Sequence, residues 1–421
     1  MEALLDLLKQ GVTAAHTISH MKNVLINAGY QELNMDEDWN LVPGGRYYLN
    51  LYHTNGLAFC VGNKVNKDFS FRIGMAHSDY PCFQIKPGIQ LKGNHVTKWN
   101  VEIYGGMYQK SWLDRPLGVA GRVIVRGENP FGPRTMLYRS EKALAIIPSL
   151  AIHMDRELNK KGALDVAKEL VPIAALSENM DLLDEVATAL SVEKKDIIEY
   201  ELFLYNMDKP TVIGLDQSML ASPRLDNLSS VAALMEAFTE NMVNNDNTVS
   251  VMTVFDNEEV GSLSKQGADS ELLSMVLSRI GTVLFDEFDL KKVIKKSFLL
   301  SMDVAHAYHP NYDEKSDAEN KSYLGDGFSI KRSVGQKYGT TAETSAVIRQ
   351  LCEKYNIPYT IAINKTGIPG GSTLGPIASS HLPFPCGDIG MPILAMHSAT
   401  ELGALSDYEA LKEFTKVFFA E

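Results

Sequence analysis

The stretch that most constrains this chain is an apolar, partly β-branched run from Val249 to Phe255, which ends in Asp256-Asn257-Glu258-Glu259. The run reads as a buried strand. Two adjacent carboxylates at a strand's end repel each other and lose hydration, which costs free energy. A nearby cation would offset that cost. The pair also permits a division of labour, with one carboxylate binding metal while the other handles a proton. Taken alone, such a pair is more often a solvated acidic turn, so the reading depends on the partners that the rest of the chain supplies.

From Arg224 onward, strands and helices alternate. Asp226-Asn227 opens a helix, and either residue is a candidate N-cap. The strand ending at Glu258-Glu259 follows, then a helix near 269–280 and a second apolar strand, Phe298 to Met302, ending at Asp303. A helix near 341–355, a strand Tyr359 to Ile363, a glycine-rich loop at 367–375 and a strand-like Met391 to Met396 ending at His397 complete the pattern. This alternation predicts an α/β fold with a mostly parallel sheet covered on both faces, a three-layer sandwich. Earlier in the chain, residues 1 to about 30 have helical spacing, Arg46 to Ala58 suggests a hairpin around Thr54-Asn55-Gly56, and Phe69 to Ala76 is a strand that delivers His77-Ser78-Asp79. After Lys86-Pro87-Gly88 short strand patterns take over, followed by helices at Leu182 to Leu190 and Glu193 to Ile198. Residues 88–215 are therefore expected to form a smaller, strand-rich inserted α/β domain. Residues 1–87 plus 216–421 would form the main domain.

Composition removes some function classes. The chain has 421 residues and a formal net charge of −12, which argues against nucleic acid as a main partner. The four cysteines, Cys60, Cys82, Cys352 and Cys386, form no Cys-x-x-Cys pair, so neither a cysteine zinc site nor a disulfide framework is expected. The amphipathic N-terminus lacks the pattern of a signal peptide, and no apolar run is long enough to span a membrane. The expected location is the cytoplasm.

Five strand-end or loop positions carry ligand-type side chains: His77, Asp226, Glu258-Glu259, Asp303 and His397. Sites in open α/β sheets form at the carboxyl ends of strands. Each residue alone has a bland reading as a cap, a turn or a surface group. Together, two histidines and several carboxylates suit a pair of zinc, cobalt or manganese ions. Asp79, two residues after His77, is placed to orient that imidazole through its other N–H, or else simply closes the turn at Asp79-Tyr80-Pro81.

The motifs His77-Ser78-Asp79-x-Pro81-Cys82, Arg224-Leu225-Asp226-Asn227-Leu228, Asp256 to Ser262, Asp303-x-Ala305-His306-Ala307-x-His309-Pro310-Asn311-Tyr312 and Ala395-Met396-His397-Ser398 occur in this order. The series resembles that of the M18 metallo-aminopeptidases, the family of aspartyl aminopeptidase and aminopeptidase I. The likeness continues through the insert, at Glu102-Ile-Tyr-Gly-Gly, Asp114-Arg115, Gly121-Arg-Val-Ile-Val and Ile147-Pro-Ser-Leu-Ala-Ile-His153. It implies a catalytic domain of zinc-peptidase type and removal of the N-terminal residue from short peptides with a free N-terminus. Asp226 would bridge two divalent ions, most simply zinc. His77 and Asp303 would complete one shell, and Glu259 and His397 the other. Glu258 would be the general base, Asp79 would orient His77, and His153 would reach a neighbouring subunit's active site. The loop with Gly371, Ser372 and Thr373 would line the substrate pocket.

Members selective for acidic residues carry a lysine where this chain has Gly335, with Lys337 and Lys331 as alternatives, so acidic and neutral or apolar N-terminal residues both remain open. The insert implies a homo-oligomer, by resemblance a tetrahedral dodecamer. Two rival readings are a catalytically inactive binding or scaffold protein on the same fold, which would be expected to have lost a ligand or Glu258, and a two-metal acyl-amide hydrolase.

Overall fold

A computed structural model describes all residues except 92, 94, 161 and 241–245. The chain divides into two compact units, Met1–Asp79 with Pro210–Met396 and Glu401–Glu421, and Tyr80–Lys209 with His397–Thr400.

The larger unit is built on the run that opened the sequence reading. Strand Thr248–Phe255 is buried at all eight positions. It lies inside a nine-stranded sheet, pairing in parallel with Ser70–His77 and antiparallel with Asn55–Val61. Beyond Ser70–His77 follow Phe298–Met302 and Cys386–Gly390, both parallel, then Phe328–Arg332 and Tyr359–Ile363. Phe255 pairs with His77, so the polar residues that follow these neighbouring strands emerge along one edge of the sheet. Side chains alternate between the faces, and each face is dry. Helices Glu2–Gln10, Ala14–Asn27, Leu225–Thr239, Ala342–Tyr355 and Leu405–Ala420 cover one side, through residues such as Leu234, Met252, Phe328 and Phe414. Helices Leu272–Leu284 and Leu374–His381 cover the other, through Val251, Phe255, Leu277 and Leu374. The expected α/β sandwich is what forms. A second sheet of five short strands, Thr211–Ile213, Met219–Ser222, Glu401–Ala404, Pro392–Leu394 and Ala305–His306, adjoins it within the same unit. Strands this short leave little sequence periodicity to read.

The smaller unit is a six-stranded sheet in which every neighbouring pair is antiparallel. Its sheet begins earlier than the Pro87-Gly88 signal suggested. Both residues lie within strand Cys82–Leu91, whose irregular register between Ile85 and Gln90 accommodates them.

Other local expectations shift for identifiable reasons. The first thirty residues form two helices, because the chain turns at Gly11-Val12-Thr13 and the Thr13 hydroxyl caps the second by accepting from His16 N. The hairpin turn falls at Tyr52-His53, both at positive φ, while Asn55 and Gly56 are already in the strand. Gly56 packs tightly against Met21, whose Cε would lie 2.1 Å from an added Cβ and would have to move aside. The segment Glu193 to Ile198 holds only one tight turn, Lys194–Asp196, before strand Ile197–Asn206 begins. The glycine-rich loop ends sooner than 375, because the helix starts at Leu374.

Candidate metal centre

His77 is the last residue of its strand and 1% exposed. Its Nδ1–H donates to the backbone carbonyl of Asp79 at 3.1 Å and lies 3.4 Å from the Asp79 carboxylate. A carbonyl can only accept, so the Nδ1 proton is fixed and the lone pair sits on Nε2, the tautomer a metal ligand requires. That Nε2 faces Asp226 Oδ1 at 3.5 Å, Asp303 Oδ1 at 3.6 Å and Glu258 Oε2 at 4.0 Å. A lone pair facing three carboxylates is tolerable only with a cation between them or an added proton on the ring. Burial opposes the charged imidazole, but Asp303 and Asp79 outweigh it and hold His77 well above the ordinary histidine value.

Asp226 enters from the start of helix Leu225–Thr239. Arg224 is left-handed there and Asp226 and Asn227 are non-helical, with a cis peptide between them. The expectation that one of these two caps the helix is therefore replaced by an irregular entry that precedes the regular helix. The Asp226 N–H donates to Glu401 Oε2 at 3.0 Å, and the Asn227 side chain donates to the Met302 carbonyl at 2.8 Å.

Glu258 and Glu259 lie on a single tight turn after Asn257, which has positive φ. Asp79 holds that turn. Its two carboxylate oxygens accept the backbone N–H of Glu258 and of Glu259, each at 3.1 Å. Sequence offered Asp79 as a group to orient His77; its contact with the glutamate turn is one that spacing along the chain could not reveal. Burial pushes the Glu258 carboxyl up to about 7, with His77 opposing and Asp303, Asp79 and Asp226 adding to the rise.

Asp303 follows its strand and meets Lys331, which sequence reading offered only as a possible substrate contact. The buried Lys331 ammonium donates to the Asp303 carbonyl at 3.1 Å, to its carboxylate at 3.2 Å and to the Val304 carbonyl at 3.0 Å. Burial would raise the Asp303 carboxyl, but Lys331 and His77 hold it well below the usual range. Ligand atoms of His77, Asp226 and Asp303 lie within 4.8 Å of one another, as do those of His77, Glu258 and Glu259. An imidazole with this many carboxylates is a donor set that suits borderline divalent ions such as zinc.

His397 groups with the smaller unit, where its Nδ1–H donates to the Gly106 carbonyl at 3.0 Å and likewise leaves the lone pair on Nε2. His153 is exposed in a turn of the smaller unit, and Lys337, Gly371 and Ser372 are exposed in the larger one. Thr373 is buried, and its hydroxyl donates to Asp388 at 2.8 Å. Sequence reading missed Asp388, Glu401 and the bonded role of Lys331. The glycines flanking Asp388 hide its short strand, and Lys331 closes a strand, Phe328–Arg332, that was not anticipated.

Comparison with known proteins gives the same family that the motifs suggested. The family model for aminopeptidase I zinc metalloproteases (M18) matches residues 7–419. A probable M18 family aminopeptidase 2 of Clostridium novyi is 41% identical over 99% of this chain and 97% of its own. Among solved structures, a cryo-EM structure of an Ape4 and Nbr1 complex superposes with a TM-score of 0.93 at 30% identity, covering 99% of this chain and 84% of that one. The S. cerevisiae mApe1 dodecamer superposes with a TM-score of 0.87 at 24% identity over 99% and 95%, a likeness of fold. The chain belongs to the M18 family and is a zinc-dependent aminopeptidase.

Proposed function

We propose that this aminopeptidase works with two divalent ions, zinc in the first instance and cobalt or manganese as substitutes. His77, Asp226 and Asp303 would hold one ion, and Asp226, Glu259 and His397 the other. The observation that carries the reading is the convergence of His77, Asp226, Asp303 and the Glu258-Glu259 pair from three strand ends and one helix start. When bound, the ions supply Lewis acidity that acidifies water and polarises a carbonyl. Glu258 acts as the general base. It accepts a proton from the attacking water and returns it to the leaving amine. Burial raises the Glu258 carboxyl, which suits a group that must hold a proton between the two transfers. Asp79 keeps Glu258, Glu259 and His77 in register with one another. Lys331 neutralises Asp303 from the side away from His77 Nε2, on the other carboxylate oxygen.

The substrates are short peptides with a free N-terminus. The exposed Gly371 and Ser372, with Thr373 behind them, would line the pocket, and Lys337 would stand at its edge. All three Lys331 protons already have acceptors, so an acidic N-terminal side chain would have to displace one of them. His153 would act from a neighbouring subunit and steady the oxyanion. The S. cerevisiae mApe1 dodecamer, which shares the fold, supports a homo-oligomer, and the insert would make its contacts. The four free, buried cysteines fit a cytoplasmic location, and among the described residues no helix is long and apolar enough to cross a membrane.

The test is a panel of aminoacyl anilides (Asp, Glu, Leu, Met, Ala) and their N-acetylated forms, assayed with apo, zinc-loaded and cobalt-loaded protein. The reading requires turnover only with metal and only with a free α-amine. Equal kcat/KM on the acetylated compounds would make the enzyme an acyl-amide hydrolase instead. A strong Asp and Glu preference would select the acidic specificity, and a Leu or Met preference the apolar one.

A further inference from the structure

We infer that Asp388 is a positioning residue for the substrate pocket, clamping two loops of the larger unit to a single strand end. The inference rests on the reading that the Gly371–Thr373 loop touches substrate.

Asp388 lies in strand Cys386–Gly390 and is fully buried. A carboxylate costs several kcal/mol to bury, on the order given by ion desolvation, and an apolar residue would serve the core as well or better. The Lys331 ammonium offsets part of that cost, and the hydrogen bonds the carboxylate accepts offset more. One carboxylate oxygen accepts the Thr373 hydroxyl at 2.8 Å, and the other accepts the backbone N–H of Gly339. The Asp388 N–H donates to the Thr340 hydroxyl at 2.7 Å. These contacts come from two separate segments. Gly339 and Thr340 end the turn that carries Lys337 and Tyr338, and Thr373 ends the glycine-rich loop.

The neighbours are shaped for this approach. A Cβ on Gly375 would lie 2.5 Å from Asp388 Oδ2, and one on Gly339 would lie 2.6 Å from Cys386 Sγ and 3.3 Å from Asp388 Oδ2. Glycine at both positions lets two backbones close on one carboxylate. A third link ties the same segments. The Asn364 side chain, before the glycine-rich loop, donates to the Tyr338 hydroxyl at 3.3 Å, and Lys331 Nζ sits 5.0 Å from the Tyr338 ring centre. Asp388 thus fixes the separation between the two loops without itself facing solvent. Loosening it changes the shape of the pocket while the residues of the metal cluster stay on their own strand ends, turn and helix start.

The experiment compares zinc-loaded wild type with Asp388→Asn, Thr373→Val, Thr373→Ser and Gly371→Val, measuring kcat, KM and zinc content. Asn keeps the shape of Asp388 but turns a donor toward one of its two partners. Expected is a KM at least tenfold higher for Asp388→Asn and Thr373→Val, with kcat within threefold and zinc content unchanged. Thr373→Ser, which keeps the hydroxyl, should bring KM back to within threefold of wild type. If Asp388→Asn does not fold, the Thr373 pair decides alone. A KM for Thr373→Val within twofold of wild type overturns the clamp, as does damage in Thr373→Ser equal to that in Thr373→Val. Gly371 has open space around its Cβ position and reports on the loop itself. A raised KM in Gly371→Val with an unchanged Thr373→Val sinks the clamp and keeps the loop reading. Unchanged KM in both sinks the loop reading and the clamp with it.

Discussion

Replacing Asp79 by Asn probes the most heavily used carboxylate around the cluster. In the structure its two oxygens accept the Glu258 and Glu259 N–H groups at 3.1 Å each, while Oδ1 also lies 3.4 Å from His77 Nδ1. Asn keeps one acceptor and turns an amide N–H toward the other donor. One charge-assisted hydrogen bond of about 1.5–3 kcal/mol is lost, which corresponds to a factor of roughly 10 to 150 at 1.4 kcal/mol per decade. Asp79→Asn leaves the backbone carbonyl that accepts from His77 Nδ1 but removes the negative charge 3.4 Å from that ring, and losing such an outer carboxylate costs about 10–100-fold in affinity or activity. The expected outcome is a kcat/KM lowered by about two orders of magnitude, with zinc released at a lower chelator concentration than from wild type. The assay is steady-state kinetics beside a chelator titration followed by zinc content. A variant within threefold of wild type in both would show that neither the Glu258-Glu259 turn nor His77 depends on Asp79.

Three further outcomes follow. Burial pushes Asp407 up to about 6 even though the Gly325 and Gly327 N–H groups bind its carboxylate. The folded form therefore holds a proton that the unfolded chain releases near its ordinary value of 3.8. Stability should fall as pH rises from about 4 to 6 and then level off, and Asp407→Asn should flatten that slope in Tm measured against pH; an equal slope in both proteins would contradict it. Chelation should abolish turnover and lower Tm, because carboxylates from four parts of the chain then face one another without cations, and zinc should restore both. Light scattering should give a multiple of the 46.5 kDa chain, and a monomer would contradict the proposed assembly.

The fold was legible where the sequence carries long apolar signals. Val249 to Phe255 and Phe298 to Met302 are buried throughout in the structure, and strand burial of that kind leaves little choice of layer. Strand Cys386–Gly390 escaped because Gly387 and Gly390 break the apolar run. Most of the second sheet escaped because its strands are two to four residues long, although Pro392–Leu394 falls within the strand-like stretch Met391 to Met396. The site showed the same division. His77, Asp226, Asp303 and the Glu pair stand at element ends, a position that sequence reports. The partners of Asp79, Lys331 and Glu401 are set by tertiary contacts across 179, 28 and 175 residues of chain, which spacing does not report.

The two adjacent glutamates are separated by one comparison: zinc content and kcat of Glu258→Gln set beside those of Glu259→Gln. If the pair divides the work as proposed, Glu258→Gln keeps the wild-type zinc content while kcat falls by about 10²–10⁴, the usual contribution of a general base, and Glu259→Gln loses zinc. An active Glu258→Gln enzyme, or one that loses zinc as Glu259→Gln is expected to, would contradict that division.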